Sequence, residues 1–148
     1  MKKVLEELFA TVQDFRETVP GIDSQVNFAD LNSSAVSAKK MVVNIITAAV
    51  YREIVSGGET DALSYLRSAV GNATKYKENI FEVLKKRKAD GGDIYKYELE
   101  GMRRQYIDNY YNAMDSLIAE LENFESWKQS PYYRLREKLR IKTAEEFD

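Results

Sequence analysis

Apolar residues recur at steps of three and four along most of the chain, which is the spacing that places them on one face of an α-helix. The most continuously apolar stretch, residues 35–55, has no wide polar face and therefore predicts a central core helix covered on most sides. It is interrupted by Asn44, Thr47 and the charged pair Arg52-Glu53, whereas a bilayer span needs about 20 mostly apolar residues. The rest of the chain is expected to pack around this helix.

The segment before the central helix contains one predicted helix, residues 4–19, although Thr11 could instead cap a shorter helix that begins at Val12. Pro20-Gly21 ends the helix in either case. Residues 22–32 read as an irregular connection, and a polar side chain between Asp30 and Ser34 is expected to cap the central helix.

A third helix is predicted from Thr60 or Asp61 to about Lys88, with Gly71 as its weak point. Its apolar stripe consists of Leu63, Leu66, Val70, Ala73, Ile80 and Leu84. The basic run at residues 85–88 could be a nucleic-acid patch, but we favour a helix C-terminus, where cations meet the last carbonyls and the helix dipole.

A fourth helix is predicted from Ile94 to about Phe124, after a glycine loop at residues 90–93. Its stripe consists of Leu99, Met102, Tyr106, Tyr110, Ala113, Leu117, Leu121 and Phe124. Tyr95, Tyr97 and Tyr111 lie off this stripe. A tyrosine suits a half-buried position, so these three either form a second contact surface or flank the core.

The pattern after residue 126 differs from that of the long helices. Ser130 and Pro131 form a good helix start, with Ser as the N-cap and Pro at the first helical position, and Thr143 with Glu146 fits a capping box. The segment is also rich in residue types found at protein interfaces. The candidates there are Trp127, Tyr132, Tyr133, Arg136, Leu139, Ile141 and Phe147. The segment either packs on its own bundle or orders against a partner.

The predicted fold class is therefore all-α. We expect a single up-and-down bundle of about four helices over residues 1–126, with the first helix across one end or side, and a short C-terminal helical arm over residues 127–148. A chain of 148 residues, 44% of them hydrophobic, is sufficient for one such core.

The amino-acid composition limits the kinds of catalysis and ligand binding that the chain can support. The chain has no Cys and no His, which excludes disulfides, thiolate sites and His-dependent catalysis or metal binding. Its net charge of −2, from 22 basic and 24 acidic residues that are well mixed, argues against nucleic-acid binding. We therefore predict no enzyme, no cofactor and no metal. A disfavoured alternative is a Mg²⁺-dependent carboxylate enzyme using Asp108, Asp115 or Glu120.

The first residues, Met1-Lys2-Lys3 and an amphipathic stretch, lack the uninterrupted apolar region of a signal peptide. The protein is therefore expected to act in the compartment where it is made.

Several segments resemble small head–tail connector (adaptor) proteins of tailed phages and prophages of Bacteroidetes. The C-terminal signature is Trp127-x-x-Ser130-x-Tyr132, followed by Leu139-x-Ile141-x-Thr143-Ala144-Glu145-Glu146-Phe147. Similar segments are Ile94-Tyr95-Lys96-Tyr97-Glu98, Asn112-Ala113-Met114-Asp115-x-Leu117 and Asp14-Phe15-Arg16-Glu17-x-Val19-Pro20. The chain departs from the family at Asp148, where Asn is usual, and in the basic end of the third helix.

The resemblance implies a structural subunit of the virion, made in the host cytoplasm and placed at the head–tail junction. Such a subunit binds copies of itself in a ring, commonly of twelve, together with the portal protein and other neck or tail proteins. DNA would only pass through the channel, and no membrane would be bound. The alternative is a cytoplasmic helical adaptor or regulator that binds a single protein partner.

Overall fold

The computed structural model describes residues 2–22, 25–89 and 93–135, with the backbone alone for residues 80–89 and 93–99. This part of the chain is helical and has no strand, which confirms the predicted all-α bundle. The α-helices are α1 (Val4–Leu8), α2 (Val12–Thr18), α3 (Phe28–Ile46), α4 (Ala48–Ser56), α5 (Asp61–Ala89), α6 (Asp93–Glu120) and α7 (Glu125–Lys128), with a 3₁₀ turn at Leu121–Asn123 and helical backbone at residues 131–135.

Short polar side chains begin several of these helices. Thr11 forms a capping box with Asp14, and it separates α1 from α2, so the shorter of the two predicted helices is the one present. Thr60 Oγ1 accepts a hydrogen bond from Leu63 N at 3.2 Å at the start of α5. Asn27 caps α3 by accepting from Asp30 N at 3.0 Å. The prediction of an irregular segment to residue 32, with a cap between Asp30 and Ser34, was therefore wrong.

Helix α5, rather than residues 35–55, lies at the centre of the bundle. Helices α2, α3, α4 and α6 all pack against it, and its residues 69–75 are buried on every side. The stretch 35–55 is instead buried on one face, through Ala38, Val42, Ile46 and Val50, while Asn44 is exposed. The expectation that this stretch is covered on most sides was wrong. Ala48 and Ala49 are exposed, so they extend the apolar pattern of the sequence without belonging to the buried face.

The same stretch is also divided into two helices at Thr47. The backbone there has φ 79° and ψ 156°, so α3 ends at Ile46 and α4 begins at Ala48. Thr47 Oγ1 accepts a hydrogen bond from Val50 N at 3.4 Å and so caps α4. The apolar pattern continues through this break, which is why periodicity alone predicted one helix.

The N-terminal helices lie against α3 and α5. An aromatic cluster joins them: the rings of Phe9 and Phe15 are 5.2 Å apart, and those of Phe15 and Phe28 are 5.8 Å apart. Arg67 of α5 donates from Nε to the carbonyl of Leu8 at 2.5 Å, where α1 ends. The first turns of the chain are thus part of the core.

Helices α5 and α6 pack antiparallel. Asn109 Nδ2 donates to Asn72 Oδ1 at 3.2 Å, and Arg103 donates to the Tyr76 hydroxyl at 3.1 Å, so later residues of α6 meet earlier residues of α5. The stripe predicted for the fourth helix is buried from Tyr106 to Leu121, and Phe124 at its end is half-buried. Met102 is an exception, because it is exposed.

Candidate protein-interaction surfaces

Trp127, the strongest interface candidate in the sequence, belongs to the protein's own core. Its side chain is 0% exposed and packs 5.9 Å from the ring of Tyr132 and 6.1 Å from that of Tyr133. The residue is therefore not available to a partner, and its assignment to an interface was wrong. Tyr133 is half-buried against the same core. An indole is large enough to complete a core by itself, which composition cannot distinguish from a binding role.

The helix start predicted at Ser130 and Pro131 is present. Ser130 Oγ accepts from Tyr133 N at 3.2 Å, Arg134 N donates to the Ser130 carbonyl at 3.2 Å, and residues 131–135 are helical. Ser126 of α7 donates to Glu53 of α4 and so ties this region to the bundle. The beginning of the predicted arm is thus packed on its own chain.

An exposed surface with two aromatic side chains lies where residues 130–135 meet α6. Asp115, Ile118 and Ala119 of α6 line, together with Tyr132, a concavity of about 340 Å³. Tyr111 lies one helical turn before Asp115 and is 59% exposed, and Tyr132 is 47% exposed. We call Tyr111, Asp115, Ile118, Ala119 and Tyr132 the α6 face.

The α6 face contains two of the predicted interface residues. The ring of Tyr111 is 5.4 Å from that of Tyr110. The pKa of Tyr110 is raised above its usual value, mainly because the residue is buried and to a lesser extent because Tyr111 is close to it. Tyr110 is therefore neutral, and its buried ring packs against the exposed ring of Tyr111. A further apolar side chain, Leu135, is exposed at the end of the adjoining helical segment.

The structure does not describe the side chains of the other predicted interface candidates. Tyr95 and Tyr97 lie in the first turns of α6, where the backbone alone is described. The remaining candidates lie outside the described residues: Arg136, Leu139, Ile141 and Phe147. The capping box at Thr143 also lies outside them, and the side chains of the basic run 85–88 are not described.

A second concave surface was not predicted. It lies between α1, α3 and α4 and centres on three interacting side chains. Glu7 Oε2 accepts hydrogen bonds from Lys39 Nζ at 3.4 Å and from the Tyr51 hydroxyl at 3.2 Å, and Lys39 Nζ lies 4.6 Å from the centroid of the Tyr51 ring. Burial raises the pKa of Tyr51, and the Glu7 carboxylate raises it further. Tyr51 is therefore a neutral donor that, with Lys39, satisfies the Glu7 carboxylate.

The concavity beside these residues has a volume of about 640 Å³. Its lining combines a basic rim with an apolar floor, and we call it the basic groove; it is lined by Lys2, Glu7, Lys39, Val43, Ala48, Tyr51, Arg52, Val55 and Ser56. A concavity of about 540 Å³ shares Glu7 and Lys39 with it and adds Lys3 and Lys40. Sequence reasoning missed this site because its residues come from three separate helices.

Neither surface has the residues of a metal centre. Within residues 2–22, 25–89 and 93–135, no group of three His, Cys, Asp or Glu side chains is placed to hold a metal ion. Asp108 and Asp115 are exposed on α6, and Glu120 is half-buried at its end. Among the described helices, none is both long and apolar enough to cross a membrane.

Comparisons with known proteins found no relative of this chain. No protein-family model, no curated protein and no solved structure matches this chain. Any inference about function therefore rests on the sequence resemblance and on the surfaces described above.

Proposed function

We propose that this protein is a structural subunit of a phage head–tail connector, which assembles as a ring between the portal and the tail. The observation that supports the proposal best is the α6 face. There, Tyr111 and Tyr132 expose large aromatic rings around a concavity on a rigid helix. Tyrosine is enriched at protein interfaces because its ring supplies apolar contact area with little loss of conformational entropy.

The surrounding structure suits this role. Tyr111 and the concavity residues lie on α6, a helix held in the bundle by its contacts with α5. Tyr132 is supported from below by Trp127, so its ring is positioned before a partner arrives. A preorganised contact loses less side-chain entropy on binding than a mobile one.

A ring also requires two different surfaces on each subunit, because neighbours meet head to tail. The α6 face and the basic groove are separate surfaces formed by different helices, so the chain offers one surface to the portal and at least one other for contacts between copies. In this proposal the α6 face binds the portal or the next neck protein, and the lateral contacts between copies use other surfaces.

Binding to purified portal or neck particles tests the proposal. We expect the unmodified chain to join the particles as a ring visible by electron microscopy, and Tyr111→Ser/Tyr132→Ser to lose that binding while keeping its helical circular dichroism. The control is Met102→Ser, which removes another exposed apolar side chain of α6. Met102 lies nine residues from Tyr111, about 180° around the helix.

Two results would contradict the proposal. One is a chain that never joins neck particles and instead binds one cytoplasmic protein with one-to-one stoichiometry. The other is equal binding by the tyrosine variant and the Met102 control, which would show that the α6 face is not the contact.

A further inference from the structure

The basic groove differs in charge from the protein as a whole. Lys2, Lys39 and Arg52 line the groove itself, and Lys3 and Lys40 line the adjoining concavity. The acids beside them are Glu7, which lines both concavities, and Glu6, which pairs with Lys3 at 3.6 Å. The whole chain, by contrast, has a net charge of −2. Lys39 pairs with Glu7 and Lys3 pairs with Glu6, so Lys2, Lys40 and Arg52 give the rim an excess of positive charge.

The floor of the groove is apolar. Val43 of α3 and Val55 of α4 are half-buried rather than buried, and Ala48 is exposed between them. A volume of about 640 Å³ lies in the range of sites that enclose a small ligand or a few side chains. A basic rim around an apolar floor suits an acidic segment that carries a large apolar side chain, and it suits a bare phosphate less well.

This chain contains such a segment outside the described residues. Residues 145–148 are Glu145, Glu146, Phe147 and Asp148, which place three acids around one aromatic ring. We propose that this acidic segment binds in the basic groove of a second copy of the chain. The Phe147 ring occupies the floor at Val43 and Val55, and the carboxylates pair with Arg52 and Lys2.

A second copy is proposed because a ring requires a contact between two different surfaces of neighbouring subunits. The segment follows residues 131–135, whose Tyr132 lies against α6, whereas the groove is formed by α1, α3 and α4. Residues 136–145 can span at most about 35 Å, which sets the upper limit on the distance to a neighbour's groove. A contact between two different surfaces propagates head to tail, and it closes into a ring when the rotation between neighbours allows closure.

The inference therefore rests on the proposed function and supplies its lateral contact. Each contact is expected to be weak by itself, since ordering a short segment costs entropy. Closure of a ring compensates, because the last contact forms within one assembly rather than between separate molecules.

A charge exchange between two full-length variants tests the inference. Variant one carries Arg52→Glu, which places an acid in the groove opposite an acidic segment. Variant two carries Glu145→Lys/Glu146→Lys, which places a basic segment opposite a basic groove. We expect sedimentation velocity to show oligomers for the unmodified chain and self-association about tenfold weaker for each variant alone.

Mixing the two variants should restore assembly, because the acidic segment of variant one meets the basic groove of variant two and the reverse also holds. The control, Lys128→Glu, makes the same charge change at an exposed position of α7 outside the groove and should assemble like the unmodified chain. Circular dichroism checks that Arg52→Glu keeps the fold. Variant two substitutes only residues outside the described bundle and gives an independent test.

A mixture that stays monomeric would overturn the inference, since docking within one copy gains nothing from mixing. A monomeric unmodified chain, or variants that assemble like it, would overturn it as well. Failure of the proposed function is read separately, from portal binding through the α6 face. A chain that joins neck particles but is insensitive to the charge exchange would refute only the groove contact.

Discussion

Val19 occupies the space that a side chain on Gly71 would need. A Cβ placed on Gly71 would lie 2.6 Å from Val19 Cγ2 and 3.5 Å from the rings of Phe9 and Phe15. The glycine in the middle of α5 is therefore the point where the N-terminal segment packs directly onto the helix backbone. Its low helix propensity suggested a weak point, but its role is to permit this close approach.

Gly71→Ala should destabilise the protein. Helix propensity alone would favour Ala by about 1 kcal/mol, but the added methyl group overpacks the contact with Val19 and costs about 1–3 kcal/mol. Urea unfolding followed by circular dichroism measures the net change. Gly101→Ala is the matched control, because nothing lies within 4 Å of its Cβ position on α6. It should stabilise by about 0.5–1 kcal/mol. A Gly71→Ala protein more stable than the unmodified one would contradict the packing.

Thr47→Gly and Thr47→Ala should change the free energy of unfolding in opposite directions. A residue at φ 79° and ψ 156° lies in a region that is otherwise nearly confined to glycine, at a cost of about 1–3 kcal/mol. Thr47→Gly removes this strain, and glycine as an N-cap loses only a few tenths of a kcal/mol, so we expect a net gain of about 1 kcal/mol. Thr47→Ala keeps the strain and loses the cap to Val50 N, which should cost about 1 kcal/mol. Thermal unfolding distinguishes them; equal effects would argue against the break.

Trp127→Ala should destabilise the protein by about 3–5 kcal/mol, because it leaves a large cavity in the core. Tyr132→Ala should cost less than about 1 kcal/mol, since that ring is half-exposed. Trp127 is the only tryptophan, so its fluorescence reports its environment directly. Tyr132→Ala should keep the blue-shifted emission of a buried indole. A red-shifted native spectrum would show instead that Trp127 is exposed and available to a partner.

The raised pKa of Tyr51 predicts that the folded protein loses stability in alkaline solution. Its pKa in the folded protein lies above the ordinary value near 10, first because of burial and second because of Glu7. Above about pH 10 the unfolded chain loses this proton while the folded chain keeps it, so stability falls by about 1.4 kcal/mol per pH unit toward the folded pKa. Below that pH, both states hold the proton and Tyr51 contributes no pH dependence.

Tyr51→Phe removes this titration and also the hydrogen bond to Glu7, which should cost about 1 kcal/mol at neutral pH. The difference in unfolding free energy between the two proteins should therefore narrow between about pH 8 and pH 11. Other groups, including Tyr110, titrate in both proteins and cancel. A difference that stays constant over this range would show that Tyr51 titrates normally.

Local signals in the sequence predicted many helix boundaries correctly. Thr11, Thr60 and Ser130 each begin a helix by accepting a backbone N–H three residues later. Such bonds depend only on neighbouring residues, so they can be read without knowing the fold. Asn27 belongs to the same class, but the polar residues after it obscured the choice.

The candidate site was predictable only in part. Tyr111 and Tyr132 are exposed as expected of interface residues, while Trp127 is buried and the basic groove was not foreseen. An aromatic residue can serve a core or an interface with the same chemistry, and the choice depends on whether other elements cover it. Lys39 and Tyr51 are twelve positions apart, yet Lys39 Nζ lies over the Tyr51 ring and both side chains donate to Glu7 of another helix.

The sequence by itself determined the all-α class, the helical stripes and the caps at Thr11, Thr60 and Ser130, because these follow from periodicity and from hydrogen bonds between near neighbours. The tertiary structure decided which helix lies at the centre, where the chain breaks at Thr47 and which side chains line the two surfaces. It placed α5, with Gly71 at its closest contact, where residues 35–55 had been expected. Burial on all sides results from contacts between distant segments, and the apolar pattern of one segment does not specify them.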